Sequence, residues 1–188
     1  MKINITMFIP SLSGGGAERI AINLANNLDK RKFNITLLVL NSQSSYYINS
    51  DVNVNILKSK RLIYVIPELV NYMKKQPPDL FISHMSLSNV VTLIAKKFAR
   101  KEFSTLIIEH TTPSIKYNND GAIYRQCIPI LMRISYKFAD SIVSVSKGVA
   151  KDLAQITRIP NKNIKVIYNP IVNDQVFNVA NQPVDCSW

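Results

Sequence analysis

Three consecutive glycines, Gly14, Gly15 and Gly16, lie between an apolar, β-branched run at residues 2–9 and an amphipathic stretch at residues 17–28. Glycine has no Cβ, so the backbone there reaches φ/ψ values closed to other residues and can approach a ligand closely. The following stretch places Ala17, Ile20, Ala21, Leu24, Ala25 and Leu28 on one helical face. A helix start beside a glycine turn offers unpaired N–H groups and the positive end of the helix dipole, which favour phosphate. Two common phosphate motifs do not fit. A P-loop requires Gly-Lys-Ser/Thr, whereas Gly16 is followed by Ala17-Glu18. A dinucleotide site requires a carboxylate at the end of the second strand, which here ends Val39-Leu40-Asn41-Ser42. A phosphate or diphosphate of some other ligand remains.

The chain has two histidines, His84 and His110, and each stands at the carboxyl end of a strand-like run, residues 80–83 and 105–109. Imidazole in that place can donate to a sugar hydroxyl or stabilise charge on a phosphate. Ser86 and Ser88 add hydroxyls near a helix start, and Thr111-Thr112-Pro113 follows His110. Glu109 has two readings, a site carboxylate or a structural partner of a nearby basic residue. The run Ser144-Val145-Ser146-Lys147-Gly148-Val149 makes a second strand-to-helix turn, in which Ser146 suits an N-cap and Gly148 permits close approach. Two histidines build neither a structural zinc site nor a credible Ser/His/Asp order. No Asp-x-Asp motif is present, so nothing demands a divalent cation, and no cofactor is expected.

These residues need a scaffold. Strand-like runs at 2–9, 33–40, 52–57, 79–83, 103–109, 141–145 and 164–168 alternate with helical patterns at 17–28, 64–75, 88–100, 122–138 and 147–156. The alternation predicts a Rossmann-like, doubly wound α/β domain, its mainly parallel sheet carrying helices on both faces and its ligands gathering at the strands' carboxyl ends. Residues 42–50 and 111–121 read as loops on that edge. After Asn169-Pro170 the pattern fades, as in the start of an interdomain linker or a flexible terminus.

With 188 residues, 47% of them hydrophobic, the chain can bury a real core. No apolar run approaches the roughly 18 residues of a membrane span, and the polar-punctuated N-terminus lacks a signal-peptide core, so a cytoplasmic protein is expected. Cys127 and Cys186 lack metal spacing and read as reduced thiols. Lys and Arg number 23 against 12 Asp and Glu, a formal charge of +11. Such an excess suits phosphorylated ligands, anionic lipid or nucleic acid. No helix-turn-helix or RNA-binding aromatic signature supports the last. The 122–138 pattern sets Ile123, Ile130, Leu131, Ile134 and Phe138 beside Arg125, Arg133 and Lys137. That mixture serves either core packing under a charged outer face or peripheral docking on an anionic membrane surface.

Five motifs, in order and spacing, resemble family 4 (group 1) glycosyltransferases. They are Gly14-Gly15-Gly16-Ala17-Glu18-Arg19, Pro78-Asp79-Leu80-Phe81-Ile82-Ser83-His84, Ile108-Glu109-His110, the run from Ala139-Asp140 to Ser146, and Val166-Ile167-Tyr168-Asn169-Pro170. The resemblance implies the N-terminal, acceptor-side half of a GT-B enzyme: residues 1–170 as that domain, 171–188 as the start of the linker, and the donor-binding half absent. It further implies retaining, metal-free transfer from a nucleotide-diphosphate sugar to a saccharide or lipid-linked acceptor in surface polysaccharide or glycan assembly, at the inner membrane face. By the same analogy the amides of Gly15 and Gly16, with Gly14, meet the donor diphosphate, and His110 meets the donor sugar or acceptor. Glu18, His84, Glu109, Thr111 and Ser146 stand around them. The competing reading is a non-catalytic Rossmann-like module that binds a phosphorylated sugar or an anionic lipid.

Overall fold

The computed structural model describes residues 1–41, 43–118 and 127–170. Seven strands, β1 (Ile3–Phe8), β2 (Phe33–Val39), β3 (Val52–Ile56), β4 (Leu80–His84), β5 (Ser104–Glu109), β6 (Ser141–Ser144) and β7 (Ile164–Val166), form one sheet in the order β3-β2-β1-β4-β5-β6-β7. Every neighbouring pair is parallel. The helices are α1 (Gly16–Asn27), α2 (Ile66–Lys75), α3 (Ser86–Ala99), α4 (Pro113–Asn118), α5 (Ile128–Ser135) and α6 (Lys147–Thr157). The strand order reverses between β1 and β4, the switch point at which a doubly wound sheet opens a crevice along its carboxyl edge.

Alternation along each strand divides the core. Met7, Leu37, Ile82, Ile108 and Val143 face α1, whose Ala25 packs among them. Their neighbours Phe8, Leu38 and Phe81 pack against α2 and α3, and Ile107 and Ile142 against α3, α5 and α6. Helices therefore lie on both faces, but unequally. Among the described residues α1 is the helix that covers its face, and beside it the sheet leaves an apolar groove of about 680 Å³ along Ile82, Leu106, Ile108 and Val143. The cause is the reversal at β1: the helices that connect β4, β5, β6 and β7 all pack on the opposite face.

Two expectations need correction. Residues 113–118 of the stretch read as a loop form α4, because a remote residue caps it: the Asp152 carboxylate on α6 accepts from the Ser114 amide at 3.0 Å. The expected 122–138 helix is, in its described part, the shorter α5 followed by a 3-10 turn at Tyr136–Phe138. Pro129 in its first turn fits a helix start rather than an interior. Residues 119–126 and 171–188, with Ile123, Arg125, Cys186 and the expected linker, fall outside the described residues.

The amino edge of the sheet is tied by two aspartates. Asp79 accepts from the Asn4 amide at 2.7 Å. Asp140 accepts from the Thr105 amide at 2.7 Å, its hydroxyl at 2.7 Å and the Lys96 ammonium at 2.6 Å. Partial burial opposes ionisation of Asp140, but these donors outweigh it and hold the carboxyl below its ordinary range. Asp140→Ala should lower the free energy of unfolding in urea by about 1–3 kcal/mol, because it strands the Thr105 amide. An unchanged midpoint would show that water replaces the carboxylate at no cost.

Candidate active site at the carboxyl edge of the sheet

The glycine turn leaves β1 at the switch point. Gly14 has φ 107°, a value that strains any residue with a side chain. Gly15 is the N-cap of α1, in extended conformation at φ −80° and ψ 161°, and contributes no side-chain cap. Gly14, Gly15 and Gly16 are all exposed. A Cβ at Gly15 would collide with the carboxylate of Glu18, which lies over it from the first turn of α1, where a negative charge suits the dipole. A Cβ at Gly16 would meet nothing within 4 Å. Neither packing nor backbone conformation therefore requires glycine at that position.

Sequence reasoning missed the cover over this turn. A bridge between Leu12 and Ser44 carries residues 43–47 alongside it, the Ser45 side chain lies next to Gly14, and the Tyr46 hydroxyl donates to the Gly15 carbonyl at 3.3 Å. The 42–50 stretch was legible only as a loop on the functional edge.

His84 and His110 come together. Pairing of β4 with β5 sets His84 opposite Ile108, two residues before His110. His84 Nδ1 lies 3.0 Å from His110 Nε2, and the rings stack with centroids 5.3 Å apart. Strand alternation puts both on the side of the sheet that carries α1, with Ile82 and Ile108. His84 ends the strand next to β1 and His110 follows the one beyond it, one and two strand spacings away, about 5 Å and 10 Å. His84 is wholly buried, and burial, with His110 beside it, pushes its pKa down to about 3. Burial lowers that of His110 to about 4. Both rings are therefore neutral near pH 7. A neutral ring has one N–H and one lone pair. Whichever ring donates within the pair, one free donor and one free acceptor are left, on His84 Nε2 and His110 Nδ1. Both of these nitrogens are buried, with no partner among the described residues. The sequence left open whether His110 meets a hydroxyl or stabilises phosphate charge; a neutral ring suits the hydroxyl.

Glu109 points the other way. Its carboxylate accepts from Ser86 and Tyr136 hydroxyls at 2.9 Å each and from Thr111 at 3.3 Å. Burial raises its pKa, and those donors and Lys116 counter the rise. Burial and the neighbouring Glu109 carboxylate push the Tyr136 phenol up. Glu109 thus ties α3 and the turn after α5 to the end of β5 through hydroxyls, where the sequence left a site carboxylate and a partner of a basic residue both open, and it engages Thr111. Ser146 caps α6, accepting from the Val149 amide at 3.2 Å. Between His84 and α3, Met85 adopts φ 73° and ψ 146°, a strained geometry for a side-chain residue, with its amide held by the Ile108 carbonyl at 3.0 Å.

The sequence model described as Glycosyltransferase Family 4 matches residues 14–175. The chain belongs to Glycosyltransferase Family 4. It is 31% identical over 177 residues to an N-acetylgalactosamine-N,N'-diacetylbacillosaminyl-diphospho-undecaprenol 4-alpha-N-acetylgalactosaminyltransferase of Campylobacter jejuni, spanning 88% of this chain and 47% of that protein. It is 28% identical over 102 residues to an amylovoran biosynthesis glycosyltransferase of Erwinia amylovora, 53% of this chain and 29% of that protein. The chain spans about half the length of the Campylobacter relatives it matches. In fold it resembles the lipopolysaccharide outer core galactosyltransferase WaaB, with TM-score 0.63 and 18% identity over 91% of this chain and 46% of that one. Anabaena Alr3699/HepE in complex with UDP-glucose gives TM-score 0.63 and 16% identity over 96% and 51%. The Family 4 signatures at Gly14–Arg19 and Ile108–His110 thus occupy one edge of the sheet, and the aspartates of two others, Asp79 and Asp140, tie the opposite one.

The buried pair makes stability depend on pH. Both folded values lie below the ordinary 6.5, so the unfolded chain binds more protons below that pH. The contribution is complete above about 6.5 and is lost as pH falls towards 4 and 3. In urea unfolding the slope should grow from about 0.7 kcal/mol per pH unit for each histidine at pH 6.5 to nearly 1.4 at pH 5. His84→Gln and His110→Gln should each remove that share, and an unchanged slope in both variants would contradict a buried neutral pair.

Proposed function

We propose that this chain is the acceptor-side domain of a retaining, nucleotide-sugar-dependent glycosyltransferase. Its acceptor would be a saccharide, lipid-linked or otherwise, in polysaccharide or glycan assembly at the cytoplasmic face of a membrane. The observation that carries the reading is Gly16: exposed, helical, at the positive end of α1, and free of any neighbour a Cβ would touch. A helix gains from alanine there. Glycine is explained by something outside the chain that must come within van der Waals reach of the backbone.

In the proposed reaction the acceptor hydroxyl attacks the anomeric carbon on the face from which the diphosphate departs. The sugar–phosphate C–O bond breaks with its electron pair on the leaving diphosphate, which takes up the hydroxyl proton. The Gly15 and Gly16 amides donate to the developing charge without reorganising, the kind of stabilisation that lowers such barriers most. The reading assigns that charge to amides and includes no divalent ion. Neutral His110 hydrogen-bonds a sugar hydroxyl, and His84, stacked on it and hydrogen-bonded to it, holds its ring in place. The Glu18 carboxylate must swing from Gly15 when a diphosphate arrives. The Campylobacter relative's name supports a lipid-linked acceptor and a hexosaminyl donor, and the sugar transferred is of hexosyl or N-acetylhexosaminyl type in this reading. Because the chain spans about half of that relative, the remainder of the cleft would come from a donor-side domain.

Titration of the ¹⁵N-labelled chain with UDP-N-acetylgalactosamine should move the Gly15 and Gly16 amide resonances first. Gly16→Ala should hold or raise the melting temperature and weaken binding about tenfold, the cost of roughly 1.4 kcal/mol of lost contact. Shifts confined to the amino edge would refute the cradle. Sugar transfer should require joining the chain to a donor-side domain. Turnover by the chain alone would contradict this division of labour, and binding without transfer after joining would favour a non-catalytic module.

A further inference from the structure

The carboxyl edge holds a second recess, on the α3 side of the sheet. Pro10 and Met85, which follow β1 and β4, meet Leu62, Leu87 and Ile128 around a volume of about 270 Å³. Pockets for whole ligands run from about 300 to 1,000 Å³, so this one takes a single group of a larger molecule. Ser88 belongs to its wall, is wholly buried, and has a hydroxyl with no partner among the described residues. On the same helix the Ser86 and Thr92 hydroxyls donate to Glu109 and Ser83. A buried hydroxyl left unmet is costly, and it points to a group that arrives from outside. Met85, half-buried in the same wall, is an unbranched side chain that can shift to admit one.

The chemistry of the recess selects that group. An anion gains little there. Lys116, exposed at the rim, already acts on the Glu109 carboxylate. That carboxylate is held through Ser86 at the N-terminus of α3, where it takes the positive end of the helix dipole. A hydrocarbon chain would leave the Ser88 hydroxyl unmet. A hexose ring would give up water from several hydroxyls for a single partner. An acetamido group suits both parts of the wall: its methyl lies against the apolar side chains and its carbonyl accepts from Ser88. We propose that this recess holds the acetamido group of an N-acetylated acceptor saccharide, with Ser88 as the residue that recognises its carbonyl. The site rests on the acceptor-side reading of this domain and names the acceptors that the domain selects.

The methyl resonances of Met85 and Ile128 in the ¹³C-labelled chain test the recess. Methyl N-acetyl-α-D-galactosaminide should move them, and methyl α-D-galactoside, which lacks the acetamido group, should bind at least about tenfold more weakly. Ser88→Ala should weaken binding of the N-acetylated glycoside about fivefold. The same variant should hold or raise the melting temperature, because it deletes a buried hydroxyl that has no partner. Equal binding of the two glycosides would overturn the proposal. So would a Ser88→Ala variant that melts lower and binds as before, which would give the hydroxyl a structural partner. Methyl shifts produced by UDP-N-acetylgalactosamine and not by the glycoside would assign the acetamido group to the donor and overturn the acceptor assignment. The response of the Gly15 and Gly16 amides to UDP reads the transferase site separately. That response with a silent recess refutes the acetamido site alone, and a responding recess without it supports the site while removing the transferase reading.

Discussion

The hydrogen-bond register of β1, β4 and β5 is the constraint on which the site depends. Phe8 pairs with Ser83, and Ser83 with Ile107, so β1, His84 and His110 finish at one edge in a fixed lateral order. Side chains alternate along a strand with period two. A slip of one residue in β4 would turn His84 toward α3 and bring Ser83 to the face of α1. The buried apolar sets on both faces forbid that slip: Phe81 and Ile82 would exchange environments, and both are packed. The core therefore specifies the site geometry before any ligand does.

The two faces divide the work. On the α3 side Glu109 spends its lone pairs on Ser86, Tyr136 and Thr111, and Asn89 ties Tyr136 to the Ile108 carbonyl. This network braces the ends of β4 and β5, although Asn89 Oδ1 finds no partner among the described residues. On the α1 side the His84–His110 pair keeps two buried nitrogens that have no partner among the described residues. Buried polar groups left unmet cost about 1–3 kcal/mol each. The strain at Met85 adds to that cost at the same junction. In the proposed reading this rigidly backed, uncharged pair serves the sugar, and the glycine turn beside it serves the diphosphate.

Much of this was legible in the chain. Alternating strands and helices fixed a doubly wound parallel sheet, and the glycine run and both histidines fell at carboxyl ends, as parallel topology requires. Ser146 was readable as a cap because capping is local. What stayed hidden rests on remote partners. The histidine contact depends on the register of two strands 26 residues apart. Glu109 was readable as a site carboxylate or as the partner of a basic residue, whereas its hydroxyl partners Tyr136 and Ser86 reach it only through helix packing. The α4 cap comes from Asp152, 38 residues away. Asp79 and Asp140 sit in the motifs that carried the family resemblance, yet they serve the amino edge.

The most direct measurement of the central claim is the ring-nitrogen spectrum of the two histidines, by long-range ¹H–¹⁵N correlation near pH 7 with UDP or UDP-sugar added. The account predicts two neutral rings with one hydrogen bond between them. The His110 Nδ1 resonance should move with UDP-sugar and stay in place with UDP, because the sugar and not the diphosphate meets it. A protonated ring at that pH, or a His110 response to UDP equal to its response to UDP-sugar, would contradict it.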